Sequence, residues 1–158
     1  MFNLKKQSNN LKGEIGEVIA KRKIKYVFRT KELHPEFLEK DIFPFNEMSK
    51  EIRGFLKEYW YTIDLFRTLK DREGNLNLEL FEVKIINYYS RFLRPFHKIP
   101  KITSSSLDVY NKAMDKGFKV KLVKIIFFDN WRYNIIIKDF DPRYFIIQDK
   151  PYPLKYKK

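Results

Sequence analysis

Cysteine is absent from the 158 residues, and histidine occurs only twice, at His34 and His97. Disulfides, thiolate chemistry and cysteine-based zinc sites are excluded together, and no histidine cage can form. Glycine is scarce, with 5 residues, and neither a Gly/Ser linker nor an internal repeat divides the chain. The longest apolar runs, residues 125–128 and 144–147, are too short for a bilayer span. The opening MFNLKKQSNN lacks the apolar segment of a secretory signal. No membrane partner is therefore expected, and a cytoplasmic location is.

What is present is a globular composition, 44% hydrophobic and 17% aromatic, too apolar for disorder and too aromatic for a coiled coil. The length suits one domain, expected over residues 1–148, with a basic, loosely ordered tail at 149–158. Lys and Arg number 33 against 20 acids, a formal net charge of +13. Self-repulsion of that size in a small domain points to a polyanionic partner, nucleic acid first. No basic amphipathic helix with a clean apolar face speaks for a membrane surface.

Ser8 or Asn10 can cap a helix over 11–23, with Leu11, Ile15, Val18, Ile19 and Arg22 on one stripe. A short strand follows at 26–28, then an insertion over 30–45 and a helix over 48–58. The aromatic, β-branched stretch 59–69 reads as a strand, 70–75 as a charged turn, and 76–86 as the returning strand. Residues 87–101 read as a basic, aromatic loop. Ser105 and Asp108 resemble a capping box for a helix over 106–116 that Gly117 stops. Strands are expected at 120–128 and 133–140. This order predicts an α/β (α+β) domain, a central mixed sheet of about five strands flanked by helices.

The hairpin carries the chemistry. Strand alternation turns Glu82 and Lys84 to one face and Phe81, Val83 and Ile85 to the other. A carboxylate inside LELFEVKII needs a cation, a lysine or a cleft if the strand is buried. Asp64 interrupts WYTIDLFRT in the same way, and antiparallel pairing can bring it beside Glu82. Two such carboxylates repel unless a cation lies between them, and oxygen-only ligands suit Mg²⁺ or Mn²⁺. The plainer alternative is an edge hairpin whose acids lie on a wet face, paired with Lys84 and Arg67.

Asp64, followed by Glu82–Val83–Lys84 after 17 residues, resembles the PD-(D/E)xK nuclease superfamily, restriction-endonuclease-like proteins that include the archaeal Holliday-junction resolvases. Lys12–Gly13–Glu14–Ile15–Gly16–Glu17 is similar to the first helix of the resolvases. Ile63 stands where the motif has proline. The resemblance implies an αβββαβ core with an insertion after the first strand, and a Mg²⁺- or Mn²⁺-dependent endonuclease or exonuclease. It further implies metal ligation by Asp64, Glu82, the Val83 carbonyl and Glu17, with Lys84 acting on the attacking water. Glu14 competes with Glu17 for the helical position.

Arg91, Arg94, Lys98 and Lys101, interleaved with Tyr88 and Tyr89, are candidate nucleic-acid contacts, since such mixtures hold phosphates and stack on unpaired bases. An ordinary loop with its aromatics folded inward accounts for them equally. Ser104, Ser105 and Ser106 read as capping residues, and both histidines as structural. A homodimer is compatible with the sequence, although no segment declares an interface. Two competing functions remain open, a non-catalytic nucleic-acid binder on the same fold and a basic assembly protein.

Overall fold

A computed structural model describes Leu4 and residues 7–149 except 88, 92–93, 97–98 and 129–130, with backbone alone at 87, 89–91 and 94–96. The sequence expectations at Tyr88, Lys98 and His97, and the tail over 150–158, lie outside the described residues.

The Ser8 side chain accepts the Leu11 N–H and opens helix α1, Asn9–Lys23, whose last turn carries Lys21, Arg22 and Lys23 where the helix dipole favours cations. The buried face of α1 is Gly16, Glu17, Ile19 and Ala20, and Leu11 is exposed. The expected stripe is thus rotated, because Gly16 lets the helix approach the sheet more closely than any side chain would. A Cβ built there meets Ile85 Cβ at 3.2 Å and Val83 Cγ1 at 3.4 Å.

Strand β1, Phe28–Arg29, is followed by three 3₁₀ turns and helix α2, Lys50–Tyr59, capped by Ser49. The strand expected from residue 59 starts only at Leu65, as β2, Leu65–Lys70. Residues 59–63 end the helix and turn instead, because burying Trp60 decides there. Its indole N–H donates to the carbonyls of Thr30 at 3.2 Å and Leu33 at 3.3 Å. Tertiary packing overrides the strand propensity of WYTI.

Asp71 Oδ1 accepts the N–H groups of Glu73 and Asn75, and Gly74 takes φ 84°, closing the hairpin into β3, Leu76–Asn87. The stretch expected as a loop holds a small backbone hairpin, β4 (Tyr89–Arg91) with β5 (Arg94–Phe96). Strand β6, Lys101–Thr103, keeps the chain extended up to Thr103. Thr103, rather than Ser105, therefore caps helix α3, Ser104–Asp115, by accepting the Ser106 N–H. At the far end Phe118 N–H bonds the Ala113 carbonyl and Gly117 N–H bonds that of Met114, with Gly117 at φ 83°. This is the left-handed stop that glycine permits.

Strands β7, Lys119–Phe127, and β8, Tyr133–Asp139, complete a five-stranded sheet in the order β1-β2-β3-β7-β8. Within this sheet only β3 and β7 run parallel, joined through α3. A short strand β9, Ile146–Gln148, not expected from sequence, pairs parallel to β6. Core packs on both faces of the sheet. Helices α2 and α3 cover Phe66, Leu78, Leu80 and Leu122, while α1 covers Leu65, Phe81, Val123 and Ile125. The molecule is thus a mixed α/β fold with a five-stranded sheet between helices, as expected. Among the described residues no helix is long and apolar enough to cross a membrane.

Candidate active site

The β2–β3 ladder ends at Leu65↔Phe81, while β3 runs on beside β7 as far as Asn87. Beyond that last pair, β3 has a neighbour on one side only, and Asp64 stands at the opening. Its Oδ2 accepts the Val83 N–H at 3.0 Å, taking the place of the missing strand partner. A residue's N–H and C=O leave a strand on the same side, so the Val83 carbonyl faces this opening too. The turn before Asp64 is fixed by Thr30, whose N–H bonds the Asp64 carbonyl at 3.3 Å and whose hydroxyl donates to the Ile63 carbonyl.

Glu82 lies one step past Phe81 on the face covered by α3 and is only 5% exposed. Its Oε2 accepts the Tyr110 hydroxyl at 2.5 Å and its Oε1 pairs with Lys84 Nζ at 3.0 Å. The wet-face alternative therefore does not hold for Glu82, although its partner Lys84 does. Arg67 belongs elsewhere, paired with the buried Glu79 at 2.9 Å.

Glu17 approaches from α1, on the opposite face. It is buried, with Oε1 on Arg29 Nε at 3.1 Å and Oε2 on Lys31 Nζ at 3.0 Å. Glu14, half exposed, holds Arg29 from outside at 2.5 Å. Of the two acids in this helix, Glu17 is the enclosed one.

These groups share one field. Burial, then the charges of Glu82 and Glu17, push the Asp64 carboxyl well above its ordinary range, against the Val83 amide and Lys84, which pull it down. Burial also raises the Tyr110 phenol, helped by Glu82 and Asp64. For Lys84 burial works downward, but Glu82 and Asp64 outweigh it and hold the ammonium above its usual value. Lys31 follows the same pattern, with Glu17 and Asp64 among the charges that raise it. Both lysines stay protonated through neutral pH. Lys84 is therefore built as a donor and a positive charge, and poorly suited to act as a base.

Among the described residues no three Asp, Glu or His side chains converge as a ready-made metal cage. Lysines and an arginine balance the carboxylates instead, and no buried side-chain N or O among those residues lacks a hydrogen-bond partner. The donor chemistry nonetheless fits a hard divalent cation. Asp64 lies beside a second carboxylate and on the side to which the Val83 carbonyl points, so three hard oxygen donors share one opening.

Asp64, Glu82, Val83 and Lys84 are thus brought together, with Glu17 close enough for its charge to reach Asp64. Lys101 is exposed at the start of β6. For Tyr89, Arg91 and Arg94 only the β4–β5 backbone is described, so their contacts stay outside the described structure. Sequence reasoning missed Tyr110, Arg29 and Lys31. Tyr110 falls in the apolar stripe of α3 with Val109 and Ala113, where an aromatic reads as core. Arg29 ends β1 and Lys31 lies in the 3₁₀ turn after it, so no strand alternation signalled that both reach Glu17. Compared with family models, curated proteins and solved structures, the chain finds no match in any of the three.

Proposed function

We propose that the chain is a metal-dependent nuclease of the PD-(D/E)xK, restriction-endonuclease-like type, hydrolysing phosphodiester bonds in nucleic acid, with DNA as the first substrate, in the cytoplasm. One observation carries the reading. Where β3 runs on past the end of β2, Asp64, the Val83 backbone and the Glu82–Lys84 pair face one another, in a chain of net charge +13.

Asp64, Glu82 and the Val83 carbonyl would hold Mg²⁺ or Mn²⁺, and Glu17 would join on releasing Lys31. Bound there, the cation supplies positive charge that polarises the phosphodiester and acidifies the attacking water. Tyr110 fixes the Glu82 carboxylate by one oxygen, so the other keeps its direction toward Lys84. The Lys84 ammonium orients the water and steadies negative charge growing on the phosphoryl oxygens. Water adds to phosphorus and releases a proton to solvent, the P–O bond to the sugar breaks, and the departing alkoxide takes up a proton from solvent.

The test is cleavage of linear, branched and single-stranded DNA in Mg²⁺, Mn²⁺ and EDTA. Glu82→Gln and Lys84→Ala should each lower the rate about 100-fold or more, with unchanged far-UV circular dichroism. Glutamine keeps an acceptor for Tyr110 and gives up only the charge pair with Lys84. Cleavage that survives Glu82→Gln removes the site from the reaction. A second reading, a binding module that does not cut, is favoured by the full satisfaction of Glu82 by Tyr110 and Lys84. It predicts salt-sensitive binding and no product under any metal.

A further inference from the structure

Beside the site lies a cavity of about 270 Å³ that the proposed reaction does not use, lined by Lys31, Leu33, His34, Pro35, Trp60 and Tyr61. Two of its lining residues, Lys31 and Thr30, also contact the residues around the carboxylates. Lys31 forms part of its wall and reaches Glu17 at 3.0 Å. Tyr61 stands three residues before Asp64, and Thr30, which also borders the cavity, bonds the Asp64 backbone. We infer that this cavity receives one unpaired nucleotide next to the phosphate being cleaved, its base against Tyr61 and its backbone toward Lys31.

Size limits the occupant. The volume falls just under the ~300–1,000 Å³ of common ligand pockets, which leaves room for one base with part of its sugar and excludes a base pair. The walls suit a base, since Leu33 and Pro35 are apolar and Tyr61 offers an aromatic ring of the kind that stacks on nucleobases, while the buried Trp60 backs them. Tyr61 is 61% exposed, so much of its surface is accessible from outside. Polar groups occupy one side. Lys31 supplies a cation, and His34 Nδ1 accepts the Glu36 N–H, which puts the proton of the neutral imidazole on Nε2 as a donor.

The cavity is also pre-formed. Trp60 ties its wall to the Thr30 and Leu33 carbonyls, and Pro35 opens the 3₁₀ turn behind His34. Little ordering is left for the ligand to bring about. A base in this cavity has left its stack, so single strands and frayed or flapped ends bind better than continuous duplex.

The inference rests on the nucleic-acid part of the proposed function but not on cleavage. Its test is binding in EDTA, where nothing is cut. Fluorescein-labelled single-stranded DNA and the matched duplex are titrated with the parent chain, Tyr61→Ala and Tyr61→Phe, and anisotropy is read. The parent should prefer the single strand by about tenfold, the scale of one stacked base, and Tyr61→Ala should lose that preference while Tyr61→Phe keeps it. Duplex affinity should stay within about twofold throughout. Because the Tyr61 ring is exposed, its removal spares the core. Equal losses on both DNAs, no loss on either, or no parental preference overturns the inference. Metal-dependent cleavage without such a preference leaves the nuclease standing and removes the cavity, and preference without product under any metal does the reverse.

Discussion

A carboxyl group whose ionisation is opposed by burial and by neighbouring carboxylates shapes stability as well as chemistry. Asp64 titrates well above the 3.8 of a free aspartate because it is buried beside Glu82 and Glu17. From pH 3.8 up to its raised value, the folded chain holds a proton that the unfolded chain has released. Stability from this group therefore falls as pH rises through that window and stays low above it. Asp64→Asn removes the effect and still offers the Val83 N–H an acceptor. Thermal melts of metal-free protein should show the variant more stable than the parent at neutral pH by about 1 kcal/mol, the common size of relief at a functional site. The gain should shrink as pH falls and vanish below 3.8. A destabilised variant at neutral pH would mean that the Asp64 charge is well compensated in the free protein. The cluster of Asp64, Glu82 and Lys84 was legible because charges interrupt apolar strand patterns. Tyr110 was not legible, since an aromatic on the buried face of a helix has the same pattern whether or not its hydroxyl meets a carboxylate.

Each element owes its place to one or two such residues. Gly16 sets the distance between α1 and β3, and with it the reach of Glu17 past the sheet to Arg29 and Lys31. Gly16→Val forces branched carbons against Ile85 and Val83. It should cost about 1–3 kcal/mol, the range for overpacking a filled interface, measured by urea denaturation. A change below half a kcal/mol would show that the helix can slide without loss. Caps, turns and stops at Ser8, Ser49, Asp71–Gly74 and Gly117 act locally, within four residues, which is why helix and hairpin positions could be read from the chain. The beginning of β2 could not. Its strand-like aromatics are spent on the end of α2 because Trp60 finds its hydrogen-bond partners 27 and 30 residues away.

For the whole molecule, the proposed metal links the site to global stability. A cation that binds only the folded chain raises its melting temperature by mass action. Millimolar Mg²⁺ or Mn²⁺ should therefore raise the parent's midpoint by a few degrees, and leave Asp64→Asn and Glu82→Gln nearly unmoved. An equal rise in all three would report a general salt effect, and no rise in the parent would count against a cation at this opening. Since Lys31 and Lys84 hold the carboxylates in its absence, the rise should be modest, as the cation must displace partners already paired.

Taken alone, the sequence determined the class of fold, the run of helices and most strands, and the three polar residues of the hairpin, because periodicity and capping act between near neighbours. Tertiary structure decided where the β2–β3 ladder stops, which residue of α1 faces inward, and that Tyr110, Arg29 and Lys31 complete the charge balance. Those outcomes depend on contacts between segments far apart in the chain, and no local pattern encodes which distant group will fill a buried hydrogen bond.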